Sequence, residues 1–239
     1  MFIDASGMDF AALNETLRRA DRHCHIGGCL GQRFIAAGMS DLTVEIDGVP
    51  GNALGAYLDG AVITVNGNAQ DAVGDTMNAG EIAVHGSIGD AAGYAMRGGA
   101  LYVKGNAGYR AGTHMKAYGD TKPVIVIGGR TGSFLGEYLA GGTIVVLNLA
   151  GKPLPIGSFT GTGMHGGKIV LRCDKAPTDL PRQVLVNEVS ADDMTEFAPY
   201  IKEYAQLFGA DAEDLLSQKY FVLTPNPEAG YKQLYTFEA

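Results

Sequence analysis

Between residues 44 and 146 the apolar positions recur every nineteen residues. One series reads Val44, Ile63, Ile82, Leu101, Ile125 and Ile144, and a second, two residues on, reads Ile46, Val65, Val84, Val103, Ile127 and Val146. Both are rich in β-branched residues, and a spacing of two puts them on one face of a short strand. A third series is Leu54, Val73, Ala92, Ala111 and Leu135; a fourth is Leu58, Met77, Met96, Met115 and Leu139. A unit this short cannot bury several inward faces alone, but stacked units share one continuous core. The step from Leu101 to Ile125 is longer, so an insertion is expected between Met115 and Ile125, where Gly119, Asp120 and Pro123 supply turn chemistry.

Glycines keep the same register as G-x-x-G-x-x-x-G. The sets are Gly48/Gly51/Gly55, Gly86/Gly89/Gly93, Gly105/Gly108/Gly112 and Gly129/Gly132/Gly136, with Gly67 and Gly74 flanking Gln70 in one further copy. Gly161, Gly163 and Gly166 end the series. These glycines are expected at stacked corners, where positive φ or close backbone approach excludes a side chain. A side chain on Gly93 is expected to collide with Gly74 and Gly112 in the adjacent coils. Asn148 falls at an equivalent corner, and Asn is the next-best left-handed residue. About seven coils are expected over residues 23–174, a solenoid roughly 34 Å tall at ~4.8 Å per coil.

Both ends are expected to be covered, because open solenoid ends expose strand edges. Residues 1–22 form an N-terminal helical cap, with Phe10, Leu13 and Leu17 on one face of a helix from Asp9 to about Arg22. Residues 175–239 form a helical and extended C-terminal tail. Ser190 and Asp193 resemble a capping box before Met194, Phe197, Ile201 and Tyr204. Pro199 is expected to break or kink that helix, with Gly209 a stop and Asp211 the cap of a short helix through Gln218. From Tyr220 the tail is expected to lie extended along the solenoid or a partner.

The coils VNGNAQDAVGDTMNAG (65–80), GDAAGYAMRGGALYVKGNAGYRAGTHMK (89–116), GGRTGSFLGEYLAGG (128–142) and FTGTGMHGG (159–167) resemble the GXGXG domain over residues 3–174. That domain forms the C-terminal part of the glutamate synthase large subunit, and one of the subunits of formylmethanofuran dehydrogenase also carries it. The flanking segments look more like a stand-alone version. The resemblance implies an all-β fold, a right-handed single-stranded parallel β-helix with short helical caps. It also implies membership of a split glutamate synthase-type complex, which makes two glutamates from glutamine and 2-oxoglutarate. An amidotransferase subunit and an FMN/iron–sulfur subunit would be the partners, and no cofactor is expected on this chain. The alternatives are the role of the GXGXG subunit in formylmethanofuran dehydrogenase and the N-methylglutamate synthase equivalent. A self-sufficient β-helix enzyme is a different class; a hexapeptide acyltransferase would show a six-residue sub-period, which this chain lacks.

Composition agrees with a part that serves others. Glycine supplies 35 of 239 residues while charged residues are only 18%. A net charge of −8 argues against a nucleic-acid binder. No apolar run approaches a membrane span, and the start MFIDASGMDF shows no leader pattern, so a cytoplasmic chain is expected. A chain starting Met1-Phe2 offers no cysteine nucleophile there, and Cys24, Cys29 and Cys173 are too scattered for a cluster.

The remaining candidates are few. Gly161-x-Gly163-x-x-Gly166 matches a dinucleotide fingerprint, but Lys168-Ile169-Val170-Leu171 reads as a strand where the fingerprint needs a helix. His23, Cys24, His25 and Cys29 are a possible zinc set, against alternation that sends neighbours to opposite faces. His85 and Lys104, nineteen apart, are expected on one outward ladder; His114 aligns outward with Ala95 and Thr76, and His165 lies in a further coil. No carboxylate–histidine pair repeats between coils, so surface or subunit interface is favoured over catalysis. Tyr57, Tyr94, Tyr102, Tyr109, Tyr118 and Tyr138 are expected outward, as interface aromatics. An isolated chain is also a possible homo-oligomer.

Overall fold

The computed structural model describes residues 1–228. The chain is a parallel β-helix of about eight coils, one more than expected. The principal strands are β1 (Phe2–Asp4), β2 (His23–Leu30), β3 (Thr43–Val49), β4 (Asp59–Val65), β5 (Ala79–Val84), β6 (Ala100–Val103), β7 (Val124–Ile127), β8 (Ala140–Val146) and β9 (Gly166–Arg172). They pair in parallel, each with the next. Two further strands, β10 (Val184–Glu188) and β11 (Tyr220–Pro225), extend the sheet in the order β9-β11-β10, both pairings antiparallel. Gly27 and Gly28 in β2, and Gly31 just after it, stand outside the nineteen-residue register of the later glycines.

The apolar series are the core. Val44, Ile63, Ile82, Leu101, Ile125, Ile144 and Ile169 face one another across successive strands. All are fully buried, as are Leu58, Met77, Met96, Met115 and Leu139 at the opposite turn. The register Leu101↔Ile125 confirms the insertion, which closes as a turn between Tyr118 and Thr121.

The N-terminal segment is more than a helix. β1 joins the sheet before α1 (Phe10–Arg18), which Asp9 caps by accepting from Ala12 N–H. Leu13 and Leu17 enter the main core, while Phe10 stays 41% exposed and meets Phe34 edge-on. Two buried amides fix this end. Gln32 donates to the carbonyls of Ala5 and Met8, and Asn14 accepts from Ala36 N–H.

The C-terminal helix does not cap an end. α2 (Ala191–Phe208) lies across the outer face of the sheet, with Phe197, Ile201, Tyr204 and Ala205 against Tyr102, Val126, Val145, Val170 and Val222. The outward column of the strands explains this: it runs Glu45, Thr64, Ala83, Tyr102, Val126, Val145, Val170, Val222, turning from polar to apolar along the solenoid. An apolar outer face needs a cover. Tyr102 is therefore buried under α2, not outward and exposed as expected. The Ser190–Asp193 capping box and the left-handed Gly209 stop are both present. Pro199 neither breaks nor divides the helix. Burial of residues on both sides of Pro199 holds it as one element despite the lost N–H. Asp211 caps α3 (Ala212–Ser217), as expected. The tail is extended through β11; its remainder, residues 229–239, lies outside the described residues.

Tyr204 anchors the helix: its hydroxyl donates to the carbonyl of Lys104 at 3.1 Å, over Gly128, where a Cβ would strike the phenol. Burial raises the Tyr204 phenol to about 12. Glu81, half-buried beside this helix, has its carboxyl pushed up by desolvation and then by the charge of Glu203.

Ile82→Ala is expected to destabilise the chain by about 2–5 kcal/mol in chemical denaturation. Glu81→Gln should stabilise it at neutral pH. A raised native pKa penalises the ionised form, so that gain should fade as pH drops through the carboxylate range; a Tm difference that persists at acidic pH would contradict it.

Candidate functional site

Each coil turns through three left-handed residues at alternate positions. The middle one is the last glycine of each motif: Gly55, Gly74, Gly93, Gly112, Gly136 and Gly161 have φ between +62° and +72°. At Gly93 a Cβ would also fall on Ile125 Cδ1 from the opposite strand. The expected collision partners, Gly74 and Gly112, are not what it meets. Asn148 is left-handed, at φ +49°, although Gly129, nineteen residues before it, is not.

The other motif glycines serve close approach. Gly67, Gly86, Gly105 and Gly129 stack with their backbones in contact, Gly105 N–H donating to Gly86 O at 2.8 Å and Gly129 N–H to Gly105 O at 2.8 Å. A Cβ on Gly105 would sit 2.8 Å from that same Gly86 oxygen. Gly51, Gly89, Gly108 and Gly132 form the next column, and Gly108 N–H donates to Gly89 O at 3.0 Å. Gly48 differs, with φ +125° opposite Cys29. Gly163 is left-handed beneath the Tyr138 ring, and Gly166 starts β9 against the Ala140 carbonyl. Since β9 follows directly, Gly161, Gly163 and Gly166 make a solenoid corner.

The residue after each glycine column stitches coil to coil. Asn68 Oδ1 accepts from Ser87 N–H at 2.8 Å, Ser87 Oγ from Asn106 N–H at 3.0 Å, and Asn106 Oδ1 from Arg130 N–H at 2.9 Å. In parallel, Asp71 Oδ1 accepts from Asp90 N–H and Asp90 Oδ1 from Tyr109 N–H, at 2.9 and 2.8 Å. These ladders go beyond what the sequence reading expects. Their signal is Asn, Asp or Ser recurring at the nineteen-residue register.

The flanking left-handed positions aim larger side chains outward. Arg110, Phe134 and Phe159 occupy one such column and His114 and Tyr138 the other. Phe134 and Phe159 stack at 5.0 Å, with the Arg110 guanidinium 4.6 Å over Phe134 and Arg110 Nε donating to Glu137 at 3.1 Å. The His114 ring stacks on Tyr138 at 5.0 Å and Tyr94 meets it edge-on at 5.8 Å. This aromatic face stays open: Phe159 is 58% and Tyr57 59% exposed. Tyr94, Tyr109 and Tyr118 are exposed as expected, and Tyr138 is half-buried.

The metal candidates do not converge. Cys24 and Cys29 are buried in the core, and burial pushes the Cys29 thiol up to about 11. His25 lies outside and meets Asp47 at 2.7 Å. Among the described residues no three His, Cys, Asp or Glu side chains form a metal-ligand group. His85 is exposed and packs edge-on against Phe208, and Lys104 and His165 are also exposed.

The family described as the GXGXG motif matches residues 11–225. The chain belongs to the GXGXG family. An uncharacterized protein of Methanocaldococcus jannaschii, MJ1350, is 42% identical over 249 residues, spanning 98% of this GXGXG chain and 95% of its own length. A chain in the crystal structure of the formyltransferase/hydrolase complex FhcABCD from Methylorubrum extorquens, in complex with methylofuran, shares the fold. Its TM-score is 0.66 at 24% identity, over 90% of this chain and 87% of that one. Among the described residues no helix is long and apolar enough to cross a membrane.

Gly93→Val combines a left-handed backbone with a clash in the core and is expected to abolish cooperative unfolding or cost more than about 3 kcal/mol. Gly105→Ala, with no positive φ, should be milder yet clearly destabilising. Near-neutral Gly93→Val in denaturant titration would rule out the stacked-corner account.

Proposed function

We propose that this chain is a non-catalytic structural subunit of a multi-subunit enzyme, giving its catalytic partners one rigid surface. The observation that carries this reading is the aromatic face on the left-handed corners. Non-glycine residues in that conformation cost about 1 kcal/mol each, and an exposed stack of Phe, Tyr, His and Arg returns little of that in isolation. Such side chains are what protein interfaces concentrate.

Of the assemblies that use this domain, a formyl-transferring complex of the FhcABCD kind, or formylmethanofuran dehydrogenase with this chain as its GXGXG subunit, is the better supported. The fold likeness is to a chain of such a complex. The second reading is a split glutamate synthase, or the related N-methylglutamate synthase. It rests on the resemblance of the glycine coils to the domain of the glutamate synthase large subunit. There an amidotransferase would release ammonia and an FMN/iron–sulfur chain would consume it. This chain would hold the two so that ammonia passes without reaching solvent.

Co-purification of the full chain from its native host tests both. Formyltransferase and hydrolase-type chains support the first reading; amidotransferase and flavoprotein chains support the second. Turnover by the isolated chain, or full activity of the reconstituted complex without it, would overturn the structural role. Phe159→Asp should weaken partner binding about tenfold or more, while leaving the Tm of the free chain nearly unchanged.

A further inference from the structure

The insertion between Met115 and Ile125 builds a cleft of about 510 Å³, lined by Asn78, Arg97, Lys116, Tyr118 and Thr121. Asn78, Arg97 and Lys116 hold one register position in three successive coils, since their N–H groups donate to Leu58, Met77 and Met96 in turn. Arg97 and Lys116 are thus neighbours on a ladder with ~4.8 Å spacing. Like charges placed directly opposite in adjacent strands are destabilising. Neither side chain has an ion pair or hydrogen bond among the described residues. No lining residue is acidic, in a chain with 18 cationic and 26 acidic side chains. Folding alone gives no reason to stack two unpaired cations here.

The insertion wall is firmly seated. Tyr118 and Thr121 exchange both backbone hydrogen bonds at 3.0 Å. The Thr121 methyl lies where Gly98 leaves room, and Ala117 packs where Gly141 does, at 2.8 Å from a notional Cβ. Thr121, Tyr118 and Asn78 thus line the same open cleft as the two cations, with Arg97, Lys116, Tyr118 and Thr121 all exposed to solvent. Arg offers a planar fork and Lys a point charge, a pair suited to an oxyanion. The volume lies within the range of small-molecule sites.

We propose that this cleft binds a small molecule carrying two oxyanion charges, of the phosphate or dicarboxylate type. The site is independent of the structural role argued above. Calorimetric titration of the full chain, at constant ionic strength, uses inorganic phosphate and succinate as probes. Saturable one-to-one binding of either is expected, and the probe that binds identifies the type. Arg97→Gln or Lys116→Gln should weaken it about tenfold or more. Without anion, Arg97→Gln should leave the Tm equal or higher, because a like-charge contact is removed. The proposal would be overturned by no saturable binding of either probe, unchanged binding in the double variant, or binding confined to an acidic peptide. A large loss of Tm in Arg97→Gln would do so too, by making that residue structural.

Discussion

The architecture depends on how closely the principal sheet approaches the opposite corner. Ile82 Cδ1 lies 2.6 Å from where a Gly55 Cβ would be, and Ile169 Cδ1 stands in the same relation to Gly136, at 2.7 Å. The interior is one side chain thick at these points. An isoleucine from the sheet fills the width, and the corner facing it must present bare backbone. Because the corner is also left-handed, glycine satisfies two demands at once. The repeat is therefore a steric lock between two columns, tight at Gly55, Gly93, Gly112 and Gly136 and looser at Gly74, where Ile82 Cδ1 would stand 3.7 Å away.

Backbone satisfaction follows from that lock. A corner held at a fixed height brings its N–H and C=O groups into line with those of the next coil. The Asn, Asp and Ser ladders then take up donors that the bends leave unpaired. The outward aromatic stacks depend on the same regularity: Arg110, Phe134 and Phe159 meet because their backbones occupy one conformation at one register.

Much of this is legible in the residues. The inward series, the insertion and the helix caps at Ser190, Gly209 and Asp211 all follow from local chemistry and a constant period. The period fails where repetition fails: Gly27, Gly28 and Gly31 keep no nineteen-residue spacing to Gly48 and Gly51. Pro199 and Tyr102 mislead for a different reason. Local preference describes neither, because both belong to the contact between α2 and the outer sheet, a pairing between chain segments a hundred residues apart. The change along the outward column from Glu45 and Thr64 to Val126 and Val145 carries that information. The split of the glycines into left-handed and close-packed columns is beyond the sequence, because both requirements select the same residue. In the basic cleft the nineteen-residue step already aligns Asn78, Arg97 and Lys116, whereas Tyr118 and Thr121 join them only through the fold of the insertion.

The reversed strand direction at one end governs growth. A stack of parallel coils with two matching open edges is a template for itself: one molecule's last coil can seat the next molecule's first, and head-to-tail addition of that kind has no natural stop. β11 and β10 close this route by turning the sheet antiparallel before it ends. The outermost strand then no longer continues the coil geometry that β1 would have to join. Among the described residues, the fold generated by repetition thus ends on this side in a strand pair that does not repeat the coil.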